Sequence, residues 1–315
     1  MDNKNILIVG GAGYLVGYMT DYLIDINYNV TVYDYLIYET RFLKNVNFIN
    51  GDIREKDRLL TIANDYDVVI WLAALVGDGA CAINPKLTTE LNYECFKWFV
   101  DRYKKKIVFT STCSVYGLNN DLIDEDATPN PLSVYAETKL HAEQYLLNNH
   151  DDNFIFRLGT LYGIGDLFSR IRLDLVLNVL SKKAAHKETL SVFGGEQWRP
   201  LLHVKDVTHA TEYFLENNIT GLYNLSSKNY TIKELAEEIQ NIKPDTQVDY
   251  SDIKFEDLRN YKVKNDKYLN TGWQPSYTLA DGIEQISSLI FEDRIRDTAD
   301  ITYSNAAYIR MMHDD

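Results

Sequence analysis

The sequence predicts an α/β fold in which a doubly wound parallel sheet fills the first half and a smaller α/β lobe the second. Three observations predict it. Short β-branched apolar runs alternate with amphipathic stretches over the first half, the pattern of βαβ units. The first run leads straight into a glycine-rich turn, VGGAG. From about residue 166 the alternation gives way to longer helices and isolated strands. With 315 residues, 45% of them apolar, the chain can bury one large core or two modest ones. The expected units are 1–165 and 166–315, with part of 196–225 returning to the first.

Six strands are expected in the first unit: NILIVG, NVTVYD, VNFING, DVVIWLA, KIVFTS and NFIFRL. Each is short, rich in branched or aromatic residues and bounded by polar or glycine turns. Helices are expected between them over 14–26, 54–63, 85–103 and 133–149, with Pro85 suited to a first helical turn. In helix 85–103, Leu91, Cys95, Phe96, Trp98, Phe99, Val100 and Tyr103 spread over an arc of roughly 200°, about twice a single-sided stripe. One face then packs on the sheet, and the other meets a second subunit or a covering segment of the same chain. The expected assembly is a homodimer or a dimer of dimers. In the second unit, SRIRLDLVLNVL is a basic and apolar stretch and GLYNLS an isolated strand. Thr231 and Glu234 have capping-box spacing at the head of a helix.

A formal charge of −14 argues against a nucleic-acid groove or an anionic membrane surface, both of which need a basic footprint. Cys81, Cys95 and Cys113 form no CxxC pair, and the six histidines form no HxxxH cluster, so neither a disulfide framework nor a metal site is expected. The longest apolar run, VVIWLAALV, is too short to span a bilayer, and no leader precedes ILIVG. A cytoplasmic protein is expected.

The turn GGAGYLVG resembles the wrap around a dinucleotide's phosphates, with Gly10 and Gly13 in place and Val16 where a third glycine is usual. Gly10 permits the tight turn and Gly13 the approach of backbone to pyrophosphate, whereas the third position serves helix–strand packing. Val16 therefore threatens packing more than binding, and Gly17 cannot replace it because one residue turns the helix by about 100°. Asp34 ends the second strand where a carboxylate takes the adenosine ribose hydroxyls, which selects NAD over NADP, and GDI at 51–53 suits an adenine-side contact. These residues predict an NAD-binding Rossmann domain.

YAETK sets Tyr135 and Lys139 one helical turn apart. An ammonium beside a phenol, together with an oxidised nicotinamide, favours the phenolate and makes Tyr135 a general base. The YxxxK spacing also occurs at Tyr93/Lys97 and Tyr250/Lys254. The middle pair is selected because TSTCSVYG leaves the carboxyl end of the fifth strand beside it, where Thr112 can bond the substrate hydroxyl.

GGAGYL, Asp34, GDI, LAALVG, STCSVYG, YAETK, RLGTLYG, GGEQWRPLLHVKD and DLRNYKV, in this order, resemble the extended short-chain dehydrogenase/reductases of the NAD-dependent epimerase/dehydratase family. The resemblance runs to about residue 290. It implies catalysis by Thr112, Tyr135 and Lys139 with a tightly held NAD. The cofactor contacts it implies are Gly10, Gly13, Tyr14, Leu15, Asp34, Asp52, Ile53, Leu72, Ala73 and Ala74, with Tyr135 and Lys139. The substrate would be a nucleotide-diphosphate sugar, its diphosphate gripped by Arg199 and Arg259, with Thr160, Asn178 and Phe193 nearby. Guanidinium forks suit that task in an acidic protein.

Two departures bear on the reaction. Thr160 stands where many 4-epimerases carry an asparagine, and Cys113 and Ser114 stand where 4,6-dehydratases carry acids. The expected reaction is NAD-dependent oxidation of the C4 hydroxyl of a nucleotide-linked hexose or heptose. Release of the ketone is favoured narrowly over its re-reduction to the 4-epimer. A non-catalytic NAD-binding regulator has no reason to keep the three catalytic residues together, and a serine or cysteine hydrolase lacks a GxSxG elbow. The segment SNAAYIRMMHDD has no expected role.

Overall fold

The computed structural model describes residues 4–38, 43–251 and 259–314. A seven-stranded sheet is built from β1 (Asn5–Val9), β2 (Asn29–Asp34), β3 (Asn47–Asn50), β4 (Val68–Trp71), β5 (Lys106–Thr112), β7 (Asn153–Leu158) and β11 (Gly221–Leu225). Its order is β11-β7-β5-β4-β1-β2-β3, with every neighbouring pair parallel. The central strands are apolar throughout because both faces are covered, as Ile6, Leu7, Ile8 and Val9 show by being wholly buried. On one face lie α1 (Val16–Asp25) and α8 (Val204–Glu216), whose Met19, Leu23, Val207 and Phe214 meet Ile8 and Phe154. On the other lie α2 (Lys56–Ala63) and α6 (Val134–Asn149), through Leu59, Ala63, Ala142 and Leu146. The strand order reverses between β1 and β4, so the chain leaves these two strands in opposite directions and opens a crevice there.

The stretch expected as one helix over 85–103 is three pieces: α4 (Pro85–Thr89), a π-helical turn at Glu90–Glu94 and α5 (Cys95–Val100). The turn swings Asn92 inward, where its amide accepts from Leu75 N at 2.8 Å and donates to Leu75 O at 2.9 Å and to the Thr138 hydroxyl at 3.3 Å. Much of the wide apolar arc is used within the chain. Phe96 and Phe99 pack on Trp71, with ring centroids 5.0 Å apart in each case. Tyr93 meets His141 and Tyr145 of α6. A helix that crosses from the sheet to a second helix needs two apolar faces without any second subunit.

The remainder forms the smaller lobe. β8 (Thr160–Tyr162), β10 (Trp198–His203) and β12 (Lys228–Thr231) make one small sheet, β9 (Leu190–Phe193) pairs with β13 (Val248–Ser251), and β6 (Leu118–Ile123) with β14 (Asn260–Val263). Packed with them are α7 (Val176–Ala185), α9 (Ile232–Ile242) and α11 (Leu279–Phe291), while α10 (Asp266–Leu269) packs by Tyr268 against β11 of the large sheet. Leu177, Leu190, Leu235, Ile239 and Ile283 form the lobe's core. Thr231 and Glu234 make the reciprocal bonds of a capping box at the head of α9. The chain then returns to the first lobe, where α12 (Asn305–Asp314) packs on α3 (Asp78–Ile83). Among the described residues no helix is long and apolar enough to cross a membrane, and no His, Cys, Asp and Glu cluster suits a metal ion.

Candidate active site

A cavity of about 540 Å³ lies at the carboxyl ends of β1, β2, β4 and β5, between the two lobes. Gly10 opens it with φ of +83°, a conformation that favours glycine, and a Cβ there would lie 2.3 Å from Ala73 N. The turn is thus pressed against the exit of β4. A Cβ on Gly13 would meet only Gly10 O, at 3.8 Å, so Gly13 leaves a cradle open. No side chain caps α1, whose first N–H groups follow Gly13, Tyr14 and Leu15 on the cavity wall.

Val16 is 1% exposed and joins the core with Ile8, Met19 and Leu23. The close approach falls instead on Gly17, where a Cβ would lie 2.0 Å from Ser169 Oγ and 2.8 Å from Asp166 Cβ. Helix α1 therefore keeps a side chain toward the sheet and needs a glycine toward the segment 166–169 of the other lobe.

Asp34 lines the cavity and accepts from Ala12 N at 3.0 Å and Leu36 N at 2.6 Å. Burial pushes its carboxyl above the usual range despite these bonds. Asp52 also lines it, paired with Arg54 at 2.6 Å, and Ile53, Leu72, Ala73 and Ala74 complete this wall.

Ser133 caps α6 by accepting from Ala136 N at 3.2 Å, which starts the helix where Tyr135 and Lys139 both reach the cavity. Thr112 ends β5; its hydroxyl accepts from Ser114 N at 3.1 Å, and it lines the same cavity as Tyr135. The Lys139 ammonium lies 4.1 Å from the centroid of the Phe109 ring. Burial pushes the Tyr135 phenol well above its ordinary range, with Cys81 and Asp78 adding to the effect and Arg172 and Thr112 opposing it. Burial also brings Lys139 down to about 7, against the pull of Glu143. The lysine and an oxidised nicotinamide are expected together to favour the phenolate; desolvation opposes them, holding the phenolic proton on and weakening the lysine's own charge.

Cys113 is turned into the core, its thiol donating to Arg157 O at 3.2 Å, while Ser114 lines the cavity with its hydroxyl 3.2 Å from that of Tyr261. Tyr93 and Lys97 pack against Tyr145 of α6. Of the third YxxxK pair, Lys254 lies outside the described residues.

The residues expected at the substrate are divided. Thr160 and Arg259 line the cavity, and Arg259 Nη1 lies 2.9 Å from Asp78 Oδ2. Arg199 stands behind that wall, donating to the carbonyls of Trp198 and Arg259 at 2.8 and 2.5 Å. Asn178 is wholly buried, accepting from Gly163 N at 2.9 Å and donating to Arg172 O at 2.8 Å. Phe193 lies outside the cavity at the end of β9. In their place the structure brings in Arg170 and Arg172, which the sequence showed only as part of a basic and apolar stretch, with Tyr38, Leu91 and Met312. Arg54, Lys139, Arg170, Arg172 and Arg259 line the cavity with Asp34 and Asp52, and Arg54, Arg172 and Arg259 are each paired with a carboxylate, from Asp52, Asp174 and Asp78. The open cradle at Gly13, the uncapped start of α1 and the carboxylate at Asp34 fit NAD.

Fold and cavity define an NAD-binding α/β enzyme with the tyrosine–lysine pair Tyr135 and Lys139 on the cavity wall. Residues 6–226 match the NAD dependent epimerase/dehydratase family, and the chain belongs to it. It is 30% identical to a putative UDP-glucose 4-epimerase of Methanocaldococcus jannaschii, over 89% of this chain and 96% of that one. It is 26% identical to the dTDP-D-glucose 4,6-dehydratase of Bos taurus, over 90% and 87%. Among solved structures, UDP-glucuronic acid 4-epimerase from Bacillus cereus, in complex with UDP-glucuronic acid and NAD, is similar with a TM-score of 0.77 and 25% identity, covering 91% of this chain and 99% of that one. The protein is an NAD-dependent enzyme of the short-chain dehydrogenase/reductase type, acting as a nucleotide-sugar epimerase/dehydratase in the broad sense.

Proposed function

We propose that this enzyme oxidises the C4 hydroxyl of a nucleotide-linked hexose or heptose to the 4-keto sugar, a GDP-heptose being one candidate substrate. The observation that carries the reading is the gathering of Thr112, Tyr135 and Lys139 on the wall of one cavity, with Lys139 one turn along the helix from Tyr135. Tyr135 takes the hydroxyl proton, Thr112 orients the hydroxyl, and Lys139 holds the ribose of the cofactor and lends positive charge when protonated. Bound NAD supplies the hydride acceptor and a positive ring that offsets the burial of the phenol. The β5 exit has no carboxylic acid to expel water from the sugar, since Cys113 faces the core and Ser114 is a hydroxyl.

Retention of the ketone in one pose is supported by Arg170, Arg172 and Arg259 on the cavity wall, which would restrain a diphosphate or a bulky sugar. The second reading is a 4-epimerase, favoured by the relative from Methanocaldococcus jannaschii. There the ketone turns over and is re-reduced from its other face. Incubating the protein with GDP-, UDP- and dTDP-sugars while following NADH absorbance and product mass separates the two. A ketone two hydrogens lighter than substrate supports the oxidation. Unchanged mass with inverted C4 gives the epimerase, and loss of water overturns both. The same reading assigns the protein to the cytoplasm, as a homodimer or dimer of dimers. The cytoplasmic placement is supported by its three buried free thiols.

A further inference from the structure

The segment after α11 crosses between the lobes along the cavity, and Asn305 is its most connected residue. Its side chain is buried and bonds two separate parts of the cavity wall, Arg170 and Val76. Its Oδ1 accepts from Arg170 Nη1 at 2.5 Å, and its Nδ2 donates to Val76 O at 2.7 Å. Its backbone N–H donates to Asp174 Oδ2 at 2.8 Å. Asp174 in turn holds Arg172 through Nε and Nη2, at 2.9 and 3.0 Å. Arg170 also donates to Thr302 O at 3.0 Å and lies over the Tyr38 ring, 3.8 Å from its centroid.

Beyond Asn305 the contacts continue across the first lobe. Tyr308 packs on Tyr38 with ring centroids 5.5 Å apart, and Ile309 is buried with Leu75, Ala80 and Cys81 in a cluster that Tyr135 joins. Met312, half exposed, stands on the cavity wall. The loops after β2 and β4, which carry Tyr38 and Val76, line the dinucleotide half of the cavity, while Arg170 and Arg172 belong to the other lobe. One amide thus ties the loop after β4 to Arg170 of the other lobe, and through Arg170 to Tyr38 of the loop after β2.

We propose that Asn305 is a positioning residue that locks the 300–312 segment across the cavity and keeps NAD(H) from exchanging between turnovers. The proposal rests on the NAD dependence of the family. A segment that only filled the core would affect melting without governing release.

The test is the rate at which prebound NADH leaves, followed by its fluorescence after adding excess NAD, in the full chain, in Asn305→Ala and in a chain ended after Ala299. Release is expected to quicken about tenfold or more in both variants, the factor given by losing a bond to a charged group. Asn305→Asp, which still accepts from Arg170 but cannot donate to Val76 O, should fall between the full chain and Asn305→Ala. Melting is recorded for each, and if the shortened chain fails to fold, Asn305→Ala alone decides. Release within twofold of the full chain from folded Asn305→Ala overturns the lock. A full chain that binds no NADH overturns the cofactor reading beneath it, a result distinct from the first.

Discussion

As the proposed general base, Tyr135 works against its surroundings, because the burial that would shield a reacting sugar from water also holds the phenolic proton on. Thr112 and Arg172 are the neighbours that ease its removal. Tyr135→Phe deletes the one oxygen that moves the proton while keeping the ring, so turnover should fall by ~10²–10⁴-fold with NADH binding retained. Tyr93→Phe, which shares the YxxxK spacing but packs against α6, should leave turnover nearly unchanged. Single-turnover hydride transfer, read at the NADH band, compares the two. A larger loss from the Tyr93 change would mean that the wrong tyrosine has been assigned.

At the scale of elements, α6 is the part whose placement matters most, since it carries both Tyr135 and Lys139. It is fixed to β7 by a buried ion pair, Arg157 Nη2 to Glu143 Oε1 at 2.5 Å, with Arg157 also donating to the Tyr116 hydroxyl at 2.7 Å. Glu143 is wholly buried, so Glu143→Gln leaves the guanidinium without its counter-charge and should cost about 3–5 kcal/mol in denaturant unfolding. Replacing Glu143 and Arg157 together by methionine should recover much of that loss, because neither charge is then stranded. A double variant no more stable than Glu143→Gln would assign the cost to packing instead.

The whole molecule should carry a pH dependence from His203. Its Nε2 meets Gln285 Oε1 at 2.9 Å and its Nδ1 accepts from Lys205 N at 3.2 Å, an arrangement that requires the neutral ring with its proton on Nε2. Burial is the main cause that brings its pKa down to about 4 from 6.5, outweighing the bond to Gln285. The folded value lies below the unfolded one, so stability is full above 6.5 and is lost as pH falls toward about 4, where the loss levels off. The total is about 3 kcal/mol. Unfolding free energies of the parent and His203→Gln across that window give the effect as their difference. A constant difference would show that His203 does not titrate there.

The sequence by itself determined the layered sheet, because strands buried on both faces must be apolar at every position, and NILIV and VVIW are. It also determined the nucleotide turn and the Tyr135/Lys139 pair, since these are local: one turn of backbone and one turn of helix hold the residues that matter. The tertiary structure alone decided which arginines line the cavity. Arg170 and Arg199 are about equally buried, and what separates them is whether a buried guanidinium sits on the cavity wall or braces another residue from behind. Helix 85–103 was read as one element because apolar spacing does not register a single inserted π turn, which exists to bring Asn92 onto the loop at Leu75. Val16 was legible as a packing question, but its answer, the near contact of Gly17 with Ser169, joins residues far apart in the chain. The segment around Asn305 was silent for the same reason: its partners Arg170, Asp174 and Val76 are brought together only by the closure of one lobe on the other.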